Sequence, residues 1–221
     1  MPARRFLSRP EIRALYDRIG RGQDAQTFYE GPAVDALIAR AALGEATALF
    51  EMGCGTGRVA ERLLRDRMPP DARYVGVDLS PTMVQIARDR LAPFGDRATV
   101  VETDGGFSFD RADASQDRVL ATYVLDLLSP ADIRALLAEA HRLLMPEGRL
   151  CLAGLTWGER PVGRLVANAW AAVHAHRPEW VGGCRPLRVE RRLDPDRWAV
   201  RHREVVRAWG IPSEVLVATP T

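Results

Sequence analysis

Three alternate glycines follow a short apolar run in the segment FEMGCGTG and precede a helix-like stretch. Gly53, Gly55 and Gly57 let the main chain turn sharply and let a ligand approach its amide groups. The dinucleotide fingerprint G-x-G-x-x-G needs a further glycine where Arg58 stands, so the NAD spacing is not met. Glu51 would disfavour a pyrophosphate and suit an ammonium or sulfonium group. The loop therefore predicts a site for a cationic cofactor without phosphate.

S-adenosylmethionine carries both of these cations and no phosphate. Here the sequence resembles the class I S-adenosylmethionine-dependent methyltransferases, whose first motif is E/D-x-G-x-G-x-G after the first strand. The run from Glu51 to Gly57 matches that motif in full. The resemblance implies that this loop, Cys54 included, binds the cofactor. A glycine turn with a purely structural role is the alternative.

A second acid stands where the cofactor ribose is expected. Asp78 ends a predicted strand 21 residues after Gly57, where a doubly wound fold places an acid that accepts hydrogen bonds from ribose hydroxyls. Such an acid can also cap a helix, but Ser80 already supplies that role. By the resemblance, Leu79 and Met83 flank the adenine.

Two further strand ends complete the predicted cofactor site. Asp104 and Gly105 follow the third strand, where the acid of this family bonds the adenine amino group, although Asp-Gly is also a common surface turn. Thr122 and Tyr123 end the fourth strand and, by the resemblance, line the cofactor near its methyl group. Core packing is the alternative for this pair.

No catalytic residue is assigned, because a sulfonium methyl is already activated and the protein mainly supplies alignment and a dry cavity. Asp126 follows the fourth strand, where a base could reach an acceptor, with a solvated loop acid as the alternative. His174 and His176 point in different directions on a helix, so no metal site is expected.

The segments YDRI at 16–19 and VLDLL at 124–128 resemble small-molecule methyltransferases related to those of quinone biosynthesis. In such relatives an N-terminal tyrosine folds over the cofactor, and Tyr16 or Tyr29 would do so here. The tryptophans at 157, 170 and 180 could wall an apolar acceptor pocket, or serve only in packing.

Composition excludes several functions. All 31 basic residues are arginines, so a P-loop lysine and a Schiff-base lysine are both absent, and the net charge of +2 does not indicate nucleic-acid binding. Three cysteines without C-x-x-C spacing predict neither disulfides nor zinc. No apolar run reaches membrane-span or signal-peptide length, so we expect a soluble, cytoplasmic protein. The sequence leaves a homodimer open.

The residues above are positioned by alternating strands and helices. Strands are predicted at residues 47–51, 74–78, 99–102, 119–123 and 149–155, with a turn at 146–148 before the last. This order predicts a parallel sheet covered on both faces. A short helix is predicted near 186–192, and two β-like runs at 198–208 and 214–218 form a hairpin around a turn at 210–213.

The expected fold is α/β, with a Rossmann-like doubly wound sheet of seven strands. The resemblance, which covers residues 51–156, implies the order 3-2-1-4-5-7-6 with strand 7 antiparallel. We expect one domain: a helical cap at 1–43, a cofactor-binding core at 44–156, and acceptor-side helices with the C-terminal hairpin at 157–221. The predicted function is methyl transfer from S-adenosylmethionine to a small, partly apolar acceptor. The alternatives are an NAD-dependent oxidoreductase and a non-catalytic S-adenosylmethionine-binding scaffold.

Overall fold

A computed structural model describes residues 6–221. The strands are β1 (Ala48–Met52), β2 (Arg73–Asp78), β3 (Ala98–Glu102), β4 (Gln116–Thr122), β5 (Leu144–Leu155), β6 (Trp198–Ala208) and β7 (Ile211–Pro220). The helices are α1 (Arg9–Ile19), α2 (Thr27–Arg40), α3 (Arg58–Asp66), α4 (Pro81–Leu91), α5 (Pro130–Leu143) and α6 (Pro161–His176). None of the helices within 6–221 has the length and apolar character needed to cross a bilayer.

All seven strands join one sheet in the order β3-β2-β1-β4-β5-β7-β6. The strands β1 to β5 pair in parallel, whereas β7 runs antiparallel to both β5 and β6. The predicted fold class, strand order and antiparallel seventh strand are therefore confirmed. Because β1 to β4 are parallel, their carboxyl ends meet at one edge of the sheet, and the loops that follow them can form a common site.

The central strands are buried on both faces, and their side chains alternate between two apolar clusters. In β5, Leu150 and Leu152 pack into the cluster that contains α5, while Cys151 and Ala153 pack into the cluster that contains α2, α3 and α4. Successive side chains of a strand point to opposite faces of the sheet. A strand that is covered by helices on both sides therefore has apolar residues at nearly every position. This burial fixes the register of the strand ends that carry the site.

Three predicted boundaries are wrong. The hairpin turn is formed by Trp209 and Gly210, whose φ values of 54° and 82° fit a two-residue type I′ turn, so Pro212 already lies in β7. The strand β5 already begins at Leu144, so residues 146–148 lie within it and not in a turn before it. A register shift separates this first part of β5 from the rest of its pairing with β4. The helix predicted near 186–192 shrinks to one 3-10 turn, Glu190–Arg192.

A buried arginine joins the N-terminal helices to the sheet. Arg118, in β4, is 5% exposed, and its Nε and Nη2 atoms donate to the main-chain oxygens of Ala41 and Ala42 at 2.7 Å each. Those oxygens lie at the end of α2, where helix carbonyls lack partners within the helix. Arg118 thus completes the end of α2 and fixes this helix over the sheet.

We expect Arg118→Met to lower the free energy of unfolding by about 3 kcal/mol, because buried carbonyls lose a charged donor. Urea denaturation followed by circular dichroism measures the change. Arg149→Met is the matched control, since half-buried Arg149 makes one bond of 3.2 Å to the carbonyl of Arg40, and it should change stability by less than about 1 kcal/mol. Equal effects of the two substitutions would contradict the anchoring role of Arg118.

Candidate cofactor site

The glycine loop is fixed to the end of β2. The amides of Gly53 and Cys54 both donate to the carbonyl of Val77, at 2.8 and 3.0 Å. Gly53 has a φ of 73°, and a Cβ atom there would lie 2.4 Å from a methyl group of Val124. Only glycine fits that position. The loop ends at Gly57, which stands at the N-terminus of α3.

The Asp78 carboxylate bridges two main-chain segments. Its Oδ2 accepts from the Gly55 amide and its Oδ1 from the Ser80 amide, both at 2.9 Å. Burial raises the pKa of Asp78, and these amide bonds oppose that rise. Ser80 caps α4 by accepting from the Met83 amide, as the sequence predicted. Asp78 therefore orders the loop and also faces a cavity.

Glu51 is held in the interior by a tyrosine that the sequence analysis missed. It is 1% exposed, and the hydroxyl of Tyr74 donates to its Oε2 at 2.6 Å. Burial raises the pKa of Glu51 to about 8, although the bond from Tyr74 lowers it. Gly76 makes room for this pair, since a Cβ there would lie 2.4 Å from the tyrosine oxygen. A glycine inside a strand often marks such a close approach, and this signal was present in the sequence.

Two adjoining cavities lie along the glycine loop. The larger cavity is lined mainly by apolar side chains, among them Leu79, Phe107 and Leu128. The lining of the smaller cavity includes the acids Asp24, Glu30 and Glu51 together with Arg58. The residues that line both cavities are Gln23, Gly53, Gly55, Thr122 and Tyr123.

Most of the predicted cofactor residues reach these cavities. Asp78, Leu79 and Gly105 line the larger one, Glu51 and Cys54 line the smaller one, and Gly53, Gly55, Thr122 and Tyr123 line both. Three predicted residues, Gly57, Met83 and Asp104, line neither. Met83 is fully buried in α4, and exposed Asp104 accepts from the Gly106 amide at 2.7 Å. The contacts of Asp104 are thus those of an Asp-Gly turn.

Tyr123 stands at the junction of the two cavities. Its φ of 56° is uncommon for a residue with a side chain, and its hydroxyl lies 2.8 Å from the Ser213 hydroxyl. Tyr29 packs edge-on against the Tyr123 ring and lines neither cavity. Tyr16 lines the larger cavity, and its hydroxyl donates to the Gly182 carbonyl at 3.2 Å. Of the two N-terminal tyrosines, Tyr16 is therefore the one placed to face a ligand.

The segment Gly20–Gln26, two turns of 3-10 helix between α1 and α2, lies over the glycine loop and was not predicted as part of the site. Asp24 accepts from the Thr56 hydroxyl and from Arg90, each at 2.6 Å. Burial raises the pKa of Asp24, but the bonds from Arg90 and Thr56 outweigh burial and lower it. No motif signals these contacts, because they join residues more than thirty positions apart.

Other predicted candidates lie elsewhere. Asp126 is 1% exposed and accepts from the Leu155 amide at 3.0 Å, so the solvated-acid interpretation is wrong. Burial raises the pKa of Asp126 to about 6. None of Trp157, Trp170 and Trp180 lines either of the two cavities: Trp180 is 76% exposed, and Trp170 packs against Tyr29. His174 meets the Gly183 carbonyl at 3.1 Å. Across residues 6–221, no group of His, Cys, Asp or Glu side chains could hold a metal ion.

The residues present fit a nucleoside joined to a cationic amino acid. The larger cavity offers apolar walls beside the Asp78 carboxylate, as a base and a ribose require. The smaller cavity contains three acids and one arginine, which favours a cation within it. Neither Gly53 nor Gly55 has a side chain to separate the two spaces, so one extended ligand can occupy both.

Comparisons with known proteins agree with this geometry. Residues 49–148 match the methyltransferase domain family. A demethylmenaquinone methyltransferase of Tropheryma whipplei is 33% identical over 145 residues, which cover 63% of this chain and 57% of the relative. A malonyl-[acyl-carrier protein] O-methyltransferase of Hahella chejuensis is 35% identical over 121 residues, covering 55% of this chain and 41% of the relative. The chain thus spans about half the length of these relatives.

Solved structures share the fold at low sequence identity. The [4+2]-cyclase SpnF superimposes with a TM-score of 0.72 at 17% identity, and the match covers 97% of each chain. The geranyl diphosphate C-methyltransferase of Streptomyces coelicolor A3(2), solved with S-adenosyl-L-homocysteine, gives a TM-score of 0.66 at 15% identity, covering 87% of this chain and 79% of that one. Motif, strand order and family match agree: residues 49–148 match the methyltransferase domain family, the strand order is the one that the resemblance to class I enzymes implied, and both support S-adenosylmethionine as the cofactor.

Proposed function

We propose that this protein transfers a methyl group from S-adenosylmethionine to a small, partly apolar acceptor. One observation carries the proposal: Glu51, the glycine loop and Asp78, on neighbouring strand ends, enclose two adjoining cavities of opposite character. We assign cofactor binding to residues 44–156 together with the segment Gly20–Gln26. Residues 157–221 and the rest of the N-terminal cap are assigned to the acceptor.

In this proposal the nucleoside occupies the larger cavity and the amino-acid end occupies the smaller one. Asp78 accepts from the ribose hydroxyls while its amide contacts hold the loop, and Leu79 and Gly105 flank the base. Glu51 provides negative charge beside the amino-acid end. When bound, the cofactor supplies an activated methyl group, so the protein needs chiefly to align the acceptor and exclude water.

The proposed acceptor follows from the walls next to Tyr123. Tyr16, Leu127 and Leu128 line the same cavity as Tyr123 and favour an apolar group over a charged one. The names of the relatives include demethylmenaquinone and geranyl diphosphate, which both carry hydrocarbon portions. The cyclase among the structural neighbours shows that this fold serves more than one reaction. Turnover with a candidate acceptor is therefore the decisive assay for transfer.

Cofactor binding is tested by calorimetric titration with S-adenosylhomocysteine. We expect the wild-type protein to bind and Asp78→Ala to weaken binding by about tenfold or more, because ribose hydroxyls lose a charged acceptor. Asp104→Ala is the matched control, since exposed Asp104 lines neither cavity, and it should stay within about threefold of wild type. Circular dichroism verifies that each variant is folded. A wild-type protein that binds NADH but no S-adenosylhomocysteine would refute the proposal.

The raised pKa of Glu51 predicts pH-dependent binding. In the free protein this carboxyl titrates at about 8, mainly through burial, and a neighbouring ammonium group lowers that pKa in the complex. Below pH 8 the complex therefore binds fewer protons than the free protein. Affinity for S-adenosylhomocysteine should rise by up to about fivefold from pH 7 to pH 8 and by no more than about twofold above pH 8.

Glu51→Gln should remove most of this rise, as measured by calorimetry across pH 6.5 to 8.5. Glu30→Gln is the comparison variant, because Glu30 also lines the smaller cavity and burial raises its pKa to about 7. Glu30→Gln should change the pH dependence of S-adenosylhomocysteine affinity mainly below pH 7.5. A wild-type affinity that is constant over the whole range would show that Glu51 does not face the bound cation.

A further inference from the structure

Gln23 has a buried acceptor atom that the protein leaves unused. Its side chain lines both cavities from the segment Gly20–Gln26. The amide oxygen Oε1 is closed off from solvent and has no hydrogen-bond partner among residues 6–221. It lies 2.9 Å from the point where a Cβ atom on Gly55 would stand. The oxygen is therefore in direct contact with the glycine loop at the junction of the cavities.

A buried amide oxygen without a hydrogen-bond partner is unfavourable until a donor binds to it. A buried acceptor without a partner destabilises the folded protein, and the large majority of such atoms in proteins are paired. The neighbouring main chain cannot provide the donor, since the Gly55 amide is already bonded to Asp78 at 2.9 Å. A ligand in the cavities that Gln23 lines can supply this donor.

The charges around Gln23 select the kind of donor. Asp24, Glu30 and Glu51 line the smaller cavity with it, whereas Arg58 is the one cation in that lining and lies 3.8 Å from both Asp24 and Glu30. Arg90 also bonds Asp24, so two arginines face the three acids, and the remaining acceptor capacity of Glu30 and Glu51 favours a positively charged N–H group over a neutral one. An ammonium group has this charge and three N–H bonds.

We propose that Gln23 is a cofactor-specificity residue whose Oε1 accepts a hydrogen bond from the α-ammonium group at the methionine end of the cofactor. This inference rests on the proposed function. It adds the residue by which the protein distinguishes a nucleoside that carries the amino acid from one that lacks it.

The position of Gln23 is fixed before the ligand binds. The adjacent Asp24 bonds Thr56 in the glycine loop and Arg90 in α4. Further along, Gln26 accepts from the Tyr29 hydroxyl at 3.1 Å. Because these bonds hold the chain immediately after Gln23, little additional ordering is needed when the ammonium group binds.

The test compares two ligands that differ at the amino-acid end. Calorimetry measures the binding of S-adenosylhomocysteine and of 5′-methylthioadenosine, which lacks the amino acid, to wild type and to Gln23→Met. We expect Gln23→Met to weaken S-adenosylhomocysteine about tenfold and to leave 5′-methylthioadenosine within twofold. Gln26→Met, in the same segment but lining neither cavity, should change both affinities equally. Gln23→Glu keeps an acceptor and should restore the preference for S-adenosylhomocysteine.

Three results would overturn the inference. Gln23→Met could leave the ratio of the two affinities unchanged, or Gln23→Glu could fail to restore it. Alternatively, the loss could disappear with decarboxylated S-adenosylhomocysteine, which keeps the ammonium group, and the bond would then involve the carboxylate. In each case wild-type binding of S-adenosylhomocysteine still supports the proposed function. If wild type binds neither ligand, the proposed function itself fails.

Discussion

The site depends on one carboxylate that holds two strand ends together. Asp78 is the last residue of β2, and its oxygens accept from the Gly55 amide after β1 and from the Ser80 amide before α4. The glycine loop has few side chains to stabilise its shape, so its geometry comes from such bonds and from the Val77 carbonyl. The cavities on either side of the loop exist because this turn is held open. Loss of the carboxylate would therefore change the shape of the cavities as well as their charge.

The N-terminal cap has a second role besides covering the sheet. Arg118 fixes the end of α2 to the sheet through the carbonyls of Ala41 and Ala42. Asp24 fixes the segment Gly20–Gln26 to the glycine loop. The cap thus completes the smaller cavity with Asp24 and Glu30. Residues that precede β1 therefore line the smaller cavity and add negative charge to it, although the glycine loop of the site follows β1.

Local signals predicted the sheet and the glycine loop well. The apolar runs of the buried strands and the spacing of the loop are properties of short segments, and the resemblance supplied the strand order. The solvated interpretation of Asp126 failed because burial depends on packing between distant segments. Gln23 and Asp24 were missed for the same reason. The hairpin turn was misplaced because Pro212 reads as a turn residue, while the positive φ values fall at Trp209 and Gly210.

The absence of a side chain at Gly76 has a consequence for how this protein can evolve. A Cβ atom there would displace the Tyr74 hydroxyl, and without that hydroxyl the buried Glu51 loses its donor. A substitution at any of these three positions thus changes which residues the other two tolerate. The motif acid that begins the glycine loop is constrained by two residues of the neighbouring strand, so the three positions are expected to vary together rather than independently among descendants of this sequence.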